Sequence, residues 1–222
     1  MPSFIEVQYF SAPSSTTNSN EQESASIIHQ ATKAVQDVKG DFKFSLGTHV
    51  KENDVIQFTA EWTDGRSYAD VQNSSEYKAV TEKLQSTLGT PKSIFHVELS
   101  RRAFGPGGPL TGAVVEYVQA YYPVSQATPE FQKDLGVDFL RFEKIFQRDG
   151  PNGPDLAYGW VVEEQEHESV QGEKTKCWFI ARRWESMADF ERAMQTQAFK
   201  DAFPILMAWQ ANFKMWHVEQ RS

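Results

Sequence analysis

The chain repeats itself, and that periodicity constrains its fold more than any other feature. Phe58-Thr-Ala-Glu-Trp62 matches Ile180-Ala-Arg-Arg-Trp184. Tyr68, Tyr77 and Lys78 then follow Trp62 at the spacing at which Phe190, Phe199 and Lys200 follow Trp184. After a one-residue gap the match resumes, with Phe95-His96-Val97-Glu98 against Trp216-His217-Val218-Glu219. Upstream, Val7-Gln8-Tyr9 aligns with Val115-Glu116-Tyr117, and Gly47 with Gly159. Two copies of one unit therefore occupy residues 1–100 and 112–222, joined by residues 101–111, whose Gly and Pro content is that of a linker.

Each copy reads as strand, helix, strand, strand, helix, strand. In the first, Ile5–Phe10 has the β-branched and aromatic content of a strand. Asn20 and Glu23 have the spacing of a capping box, opening a helix to Gly40 with Ile27, Ile28, Ala31, Ala34, Val35 and Val38 on one stripe. Phe42–Val50 and Val55–Trp62 form a hairpin, a helical region covers Tyr68–Leu88 with a break near residues 73–75, and Ile94–Leu99 closes the unit. In the second copy Val114–Tyr121 is a strand, and Thr128-Pro129 starts a helix with proline at its first position. Tyr158–Glu164 and Cys177–Trp184 are the central strands, Ser186–Ala211 is helical with Pro204 expected to kink or split it, and Met215–Glu219 is the last strand. The order βαββαβ is an α+β, ferredoxin-like unit, a four-stranded antiparallel sheet with helices on one face. The bare face needs a cover, and a second copy on the same chain supplies it.

Composition narrows the function classes. No apolar run approaches the roughly 20 residues that span a bilayer, and the first residues lack a signal-peptide pattern, so a cytoplasmic protein without a membrane partner is expected. The net charge of −8, unbroken by a long basic cluster, argues against a nucleic-acid partner. A single cysteine, Cys177, excludes an internal disulfide and a Cys-based zinc site. No phosphate-cradling loop, dinucleotide fingerprint, Gly-x-Ser-x-Gly elbow or His-Glu-x-x-His occurs, and no cofactor or metal is expected.

The remaining chemistry lies in aromatic, histidine and tyrosine side chains. Trp62 and Trp184 end matching strands, in phase with Phe58 and Arg182 respectively, and form either an aromatic wall for a flat substrate or a plug between sheet and helices. His96 and His217 recur in both halves as general bases or as hydrogen-bonded structural groups, the symmetric structural role being the simpler. His49, Tyr68 and Tyr77 occur in the first half only, facing Val161, Phe190 and Phe199 in the repeat. That surplus points to the first half as the working one, with a phenol placed to bind a developing enolate. One of Arg182 and Arg183 faces the helices, where it pairs with a carboxylate or phenolate. The candidate catalytic residues are thus Tyr77, His49, His96 and Tyr68, and the candidate substrate-binding residues Trp62, Phe58, Trp184, Arg182 and His217.

The stretch Trp184-Glu-Ser-Met-Ala-Asp-Phe190, followed by Gln197-Ala-Phe199-Lys200 and Trp216-His217-Val218, resembles the dimeric α/β-barrel superfamily. Together with Gly159-Trp-Val-Val-Glu-Glu164 and Glu166-His167-Glu168, it is similar to the tandem-repeat, antibiotic-biosynthesis-monooxygenase type of filamentous fungi. The resemblance implies two tandem units closed into an intramolecular pseudo-dimeric α/β barrel. It also implies cofactor-independent oxygenation of an aromatic or polyketide-like small molecule in secondary metabolism. Cyclisation or isomerisation of such a molecule, and non-catalytic binding or a stress-response role, are the alternatives, and a homodimer of pseudo-dimers is left open. Heme-degrading relatives carry an iron-ligating histidine where this chain has Thr81 and Phe203, and plant cyclases carry a histidine near the positions of Tyr77 and Phe199. Neither set is present. In quinone-forming monooxygenases Trp and Tyr line a pocket between sheet and helices, similar to Trp62 with Tyr68 here.

Overall fold

A computed structural model describes residues 3–12, 20–62, 68–149, 155–168 and 170–221. The first copy comprises β1 (Ser3–Ser11), α1 (Asn20–Gln36), β2 (Phe42–His49), β3 (Val55–Trp62), α2 (Tyr68–Asn73), α3 (Ser75–Leu88) and β4 (Ser93–Leu99). The second comprises β5 (Val114–Pro123), α4 (Pro129–Phe146), β6 (Leu156–Val161), β7 (Thr175–Trp184), α5 (Met187–Gln195), α6 (Gln197–Ala208) and β8 (Asn212–Gln220). The eight strands close into an antiparallel barrel in the order β1-β3-β2-β8-β5-β7-β6-β4. Strand alternation sorts the apolar residues into three cores. One fills the barrel, with Ile5, Val7, Tyr117, Phe179, Trp216 and Val218. Phe10, Leu46, Phe58 and Trp62 pack under α1–α3. Trp178, Ile180, Phe139 and Phe142 pack in the α4–α6 layer.

The halves meet at two seams, β2 against β8 and β4 against β6, each only a few residue pairs long. Gly47 pairs with Gln220 at one and Gly159 with Leu99 at the other. A Cβ on Gly47 would run into the carbonyl oxygen of Glu219, and one on Gly159 into that of Glu98. The repeated glycine is therefore the device that lets two sheets approach closely enough to hydrogen-bond.

Two sequence expectations are corrected. Trp62 and Trp184 occupy equivalent positions in β3 and β7, and Glu6 lies opposite Ala60 and His96 while Glu116 lies opposite Arg182 and His217. Glu116 is thus the counterpart of Glu6, two residues away from the Gln8 of the sequence match. A two-residue slip keeps every side chain on its face, which is why the apolar pattern did not expose it. The second long helix is interrupted at Thr196, not at Pro204, which lies within α6. Thr196 caps α6 by accepting the Phe199 N–H, as Ser74 caps α3 by accepting that of Tyr77. The joining residues 101–111 pack against the barrel: Ala103 and Leu110 are buried in its core, and the carboxylate of buried Glu61 accepts the backbone N–H groups of Ala103 and Phe104, both at 3.0 Å. This segment stoppers one barrel end. The expected capping pair Asn20 and Glu23 has side chains outside the described set. No helix among the described residues is long and apolar enough to cross a membrane.

Closure by the seam glycines yields a sharp contrast. Gly159→Ala should lower stability by about 3 kcal/mol, since backbone must move to admit the methyl group. Gly136→Ala, within α4 and with its nearest neighbour, the Trp178 ring, at 3.9 Å, should raise stability by about 0.5–1 kcal/mol. Chemical denaturation of the two variants measures both effects.

Candidate functional site

The helix-facing side of each sheet carries a carboxylate beside a histidine. Glu6 and His96 face each other across β1 and β4, and Glu116 and His217 across β5 and β8. In each half the hairpin of the other half reaches over the histidine. Val162 donates its backbone N–H to the His96 carbonyl at 2.8 Å, and Val50 to that of His217 at 2.9 Å. The next residues differ: Glu163 follows Val162, whereas Lys51 follows Val50.

That difference separates the two histidines. His96 Nε2 binds Glu6 Oε2 at 2.9 Å, its Nδ1 binds Glu163 Oε1, and its backbone N–H donates to Glu163 Oε2 at 3.0 Å. Phe4 stacks on its ring. Burial works to lower the His96 pKa, but hydrogen bonds from Glu163 and Glu6 prevail and raise it to about 9. Both ring nitrogens are occupied, so His96 is a cationic clamp between the halves and has no lone pair for a substrate. The two carboxylates flank opposite edges of the ring and do not converge on a common point. Among the described residues no group of three or more His, Cys, Asp or Glu is placed to hold a metal ion.

His217 is the opposite case. Burial, reinforced by Lys51, lowers its pKa to about 4, which keeps the imidazole neutral. Its Nε2 is buried and has no hydrogen-bond partner, and the Phe190 ring lies edge-on at 4.3 Å. Beside it, Glu116 accepts the Trp184 indole N–H at 2.7 Å. Burial pushes the Glu116 pKa up, against the opposing pull of Arg182 and Trp184. Arg182 faces the helices, forms an ion pair with Glu143 of α4, and lies 5.0 Å over the Phe146 ring. Trp184 on β7 and Phe190 on α5 are only partly buried, their rings 5.6 Å apart, and α5 buries none of its residues. Aromatic walls, a neutral imidazole, a carboxylate of raised pKa and a guanidinium therefore share one surface.

The structure does not gather the first-half candidates in this way. Trp62 is sealed by Phe42 and Tyr77, at ring distances of 4.9 and 5.7 Å, and its indole N–H is buried without a partner. The reason is visible in the repeat: Glu6, counterpart of the Glu116 that serves Trp184, is engaged by His96 and by Gln8. Phe58 is fully buried in the core. His49 points into the barrel, 3.2 Å from Gln57 Oε1 and packed against Trp216, on the opposite face of the sheet from Tyr77. Tyr68 opens α2, and its side chain lies outside the described residues. Sequence reading missed Glu6, Glu116, Glu143 and Glu163. A lone carboxylate within the apolar strand Val114–Pro123 was the available signal for Glu116, and the Gly47–Gly159 alignment set Lys51 opposite Glu163.

No protein-family model matches the chain, and no curated protein is similar to it in sequence. In three dimensions it is similar to a Lactobacillus acidophilus protein provisionally named a monooxygenase, with 8% identity, a TM-score of 0.55, and coverage of 100% of this chain and 94% of that one. A Fusobacterium nucleatum protein provisionally named in the same way gives 9%, 0.56, 100% and 93%. An anthrone oxidase-like protein gives 14%, 0.53, 98% and 91%. These likenesses are of fold, and the shared fold is the dimeric α/β barrel.

The two histidines should titrate far apart. Because the folded pKa of His96 lies above its ordinary value near 6.5, its contribution, on the order of 3 kcal/mol, is complete below pH 6.5 and lost as pH rises through about 9. His217 acts in the other direction, since its folded pKa is depressed and stability falls as pH drops from 6.5 toward 4. Imidazole NMR of histidine-labelled protein should show the His96 ring deprotonating near pH 9 and the His217 ring still neutral at pH 5. In Glu163→Gln the high-pH transition should move toward neutrality.

Proposed function

We propose that this chain oxygenates a hydrophobic aromatic or polyketide-like molecule without a cofactor, on the helix-facing side of its second half. One observation carries the reading: of two repeat-related histidines, only His217 keeps a ring nitrogen without a partner, and it does so beside Trp184 and Phe190. A flat substrate slides between the Trp184 ring on β7 and the Phe190 ring on α5 once α5, which buries none of its residues, lifts from the sheet. Glu116, made more basic by burial, takes the proton of an activated methylene, and neutral His217 hydrogen-bonds the emerging enolate or phenolate. Arg182 supplies positive charge to that anion. The anion then reduces molecular oxygen. A methylene and dioxygen become a carbonyl and water, so one oxygen atom enters the product and the other leaves with the two hydrogens.

Oxygen uptake by the purified protein with anthrones and hydroquinones, with no cofactor added, tests the reading. Uptake above the spontaneous rate should fall about 100-fold in His217→Ala and in Glu116→Gln, and remain within about threefold of the parent in Trp62→Phe. Equal losses from Trp62→Phe and Trp184→Phe would remove the second-half assignment. A rearranged product without oxygen uptake would transfer the same acid–base pair to cyclisation or isomerisation.

A further inference from the structure

The barrel end opposite the 101–111 stopper is open. A cavity of about 400 Å³ lies there, lined by Tyr9, Ser93, Phe95, Gln119, Tyr121 and Lys214, with Glu166 at its rim. These side chains project from the barrel-facing side of their strands or from strand ends, so the cavity is separated by the sheet from His217 and Arg182. Both β1 and β5 end at this mouth, and the axis relating the two halves runs through it. Strand register pairs Tyr9 with Gln119 and Ser93 with Lys214 across that axis. Two identical copies would make a symmetric mouth. This one is not: one side presents a phenol and a hydroxyl, the other an amide and an ammonium.

The polar groups are placed as a ligand requires. The Tyr9 hydroxyl is buried and has no hydrogen-bond partner, so an acceptor brought to it would satisfy it. Buried Tyr121 donates to Gln119 Oε1 at 2.7 Å, which fixes the amide. The Lys214 ammonium lies 5.6 Å from the Tyr9 ring centroid and 5.4 Å from that of Trp216. A cation held over aromatic faces beside an unsatisfied phenol suits a carboxylate attached to an aromatic ring. Glu166 also lines the cavity, and its carboxylate disfavours a ligand with a second negative charge.

We infer that this mouth is a second small-molecule site, independent of the helix-facing one, and that it takes a flat aromatic monocarboxylate, with the carboxylate on Lys214 and the Tyr9 hydroxyl and the ring against Tyr121 and Phe95. Isothermal titration of the full chain with benzoate and 2-naphthoate tests it. Saturable binding is expected, weakened at least tenfold by Lys214→Met, weakened about threefold by Tyr9→Phe, and unchanged by Trp184→Phe. Absence of saturable binding by either carboxylate would overturn it. Equal binding of 2-naphthylmethylamine would do the same, because the mouth would then read rings and not charge. Binding that Trp184→Phe weakens and Lys214→Met does not would place the ligand at the helix-facing site. Failure of oxygenation leaves this result untouched, since binding is read directly.

Discussion

Everything else in this molecule depends on the two short seams that close the barrel. A ferredoxin-like sheet has one face under helices and one face bare, and the bare faces here become a common interior filled by Val7, Tyr117, Phe179, Trp216 and their neighbours. Closing the ring abolishes sheet edges, which otherwise invite pairing with other chains. Closure requires backbone to approach backbone where the halves join, and Gly47 and Gly159 are the residues that permit it. The same junctions carry each hairpin over the other half's last strand, so the seams also bring side chains of one half to the chemistry of the other.

From that crossing comes the electrostatic difference between the halves. The backbone contacts over His96 and His217 are alike, and the residue that follows each contact is a glutamate in one case and a lysine in the other. An added carboxylate makes His96 a buried cation with both nitrogens occupied; burial, reinforced by a nearby ammonium, keeps His217 neutral. The effect spreads one position further. Because Glu6 is held by His96, Trp62 lacks the acceptor that Glu116 gives Trp184. Symmetric backbone with asymmetric charge thus produces a clamp on one side and a buried, unclamped histidine–carboxylate pair on the other.

Much of the fold was legible because it rests on local periodicity and on repetition. The strand at Val55–Trp62 and the proline start of α4 stand where alternation and an N1 proline put them, and the helical break falls within the expected residues 73–75. The break between α5 and α6 was legible in principle, since Thr196 repeats Ser74, but Pro204 drew attention away from it. The site was far less legible. The first half holds more histidines and tyrosines in the sequence, yet His49 faces into the barrel, away from Tyr77, and His96 has no free nitrogen. Counting polar groups does not tell which are already paired.

The amino-acid sequence by itself determined the duplication, the βαββαβ order and the face each strand buries, because helical and strand periods and turn chemistry act over a few residues. Tertiary structure alone decided the pairing of Glu6 with His96 and Glu163, the isolation of His217 Nε2, and the meeting of Tyr9, Gln119 and Lys214 at one mouth. Those groups lie tens of residues apart or in different repeats. Their protonation and reactivity are set by burial and by charges only a few ångströms away, and only closure of the barrel brings them to that distance.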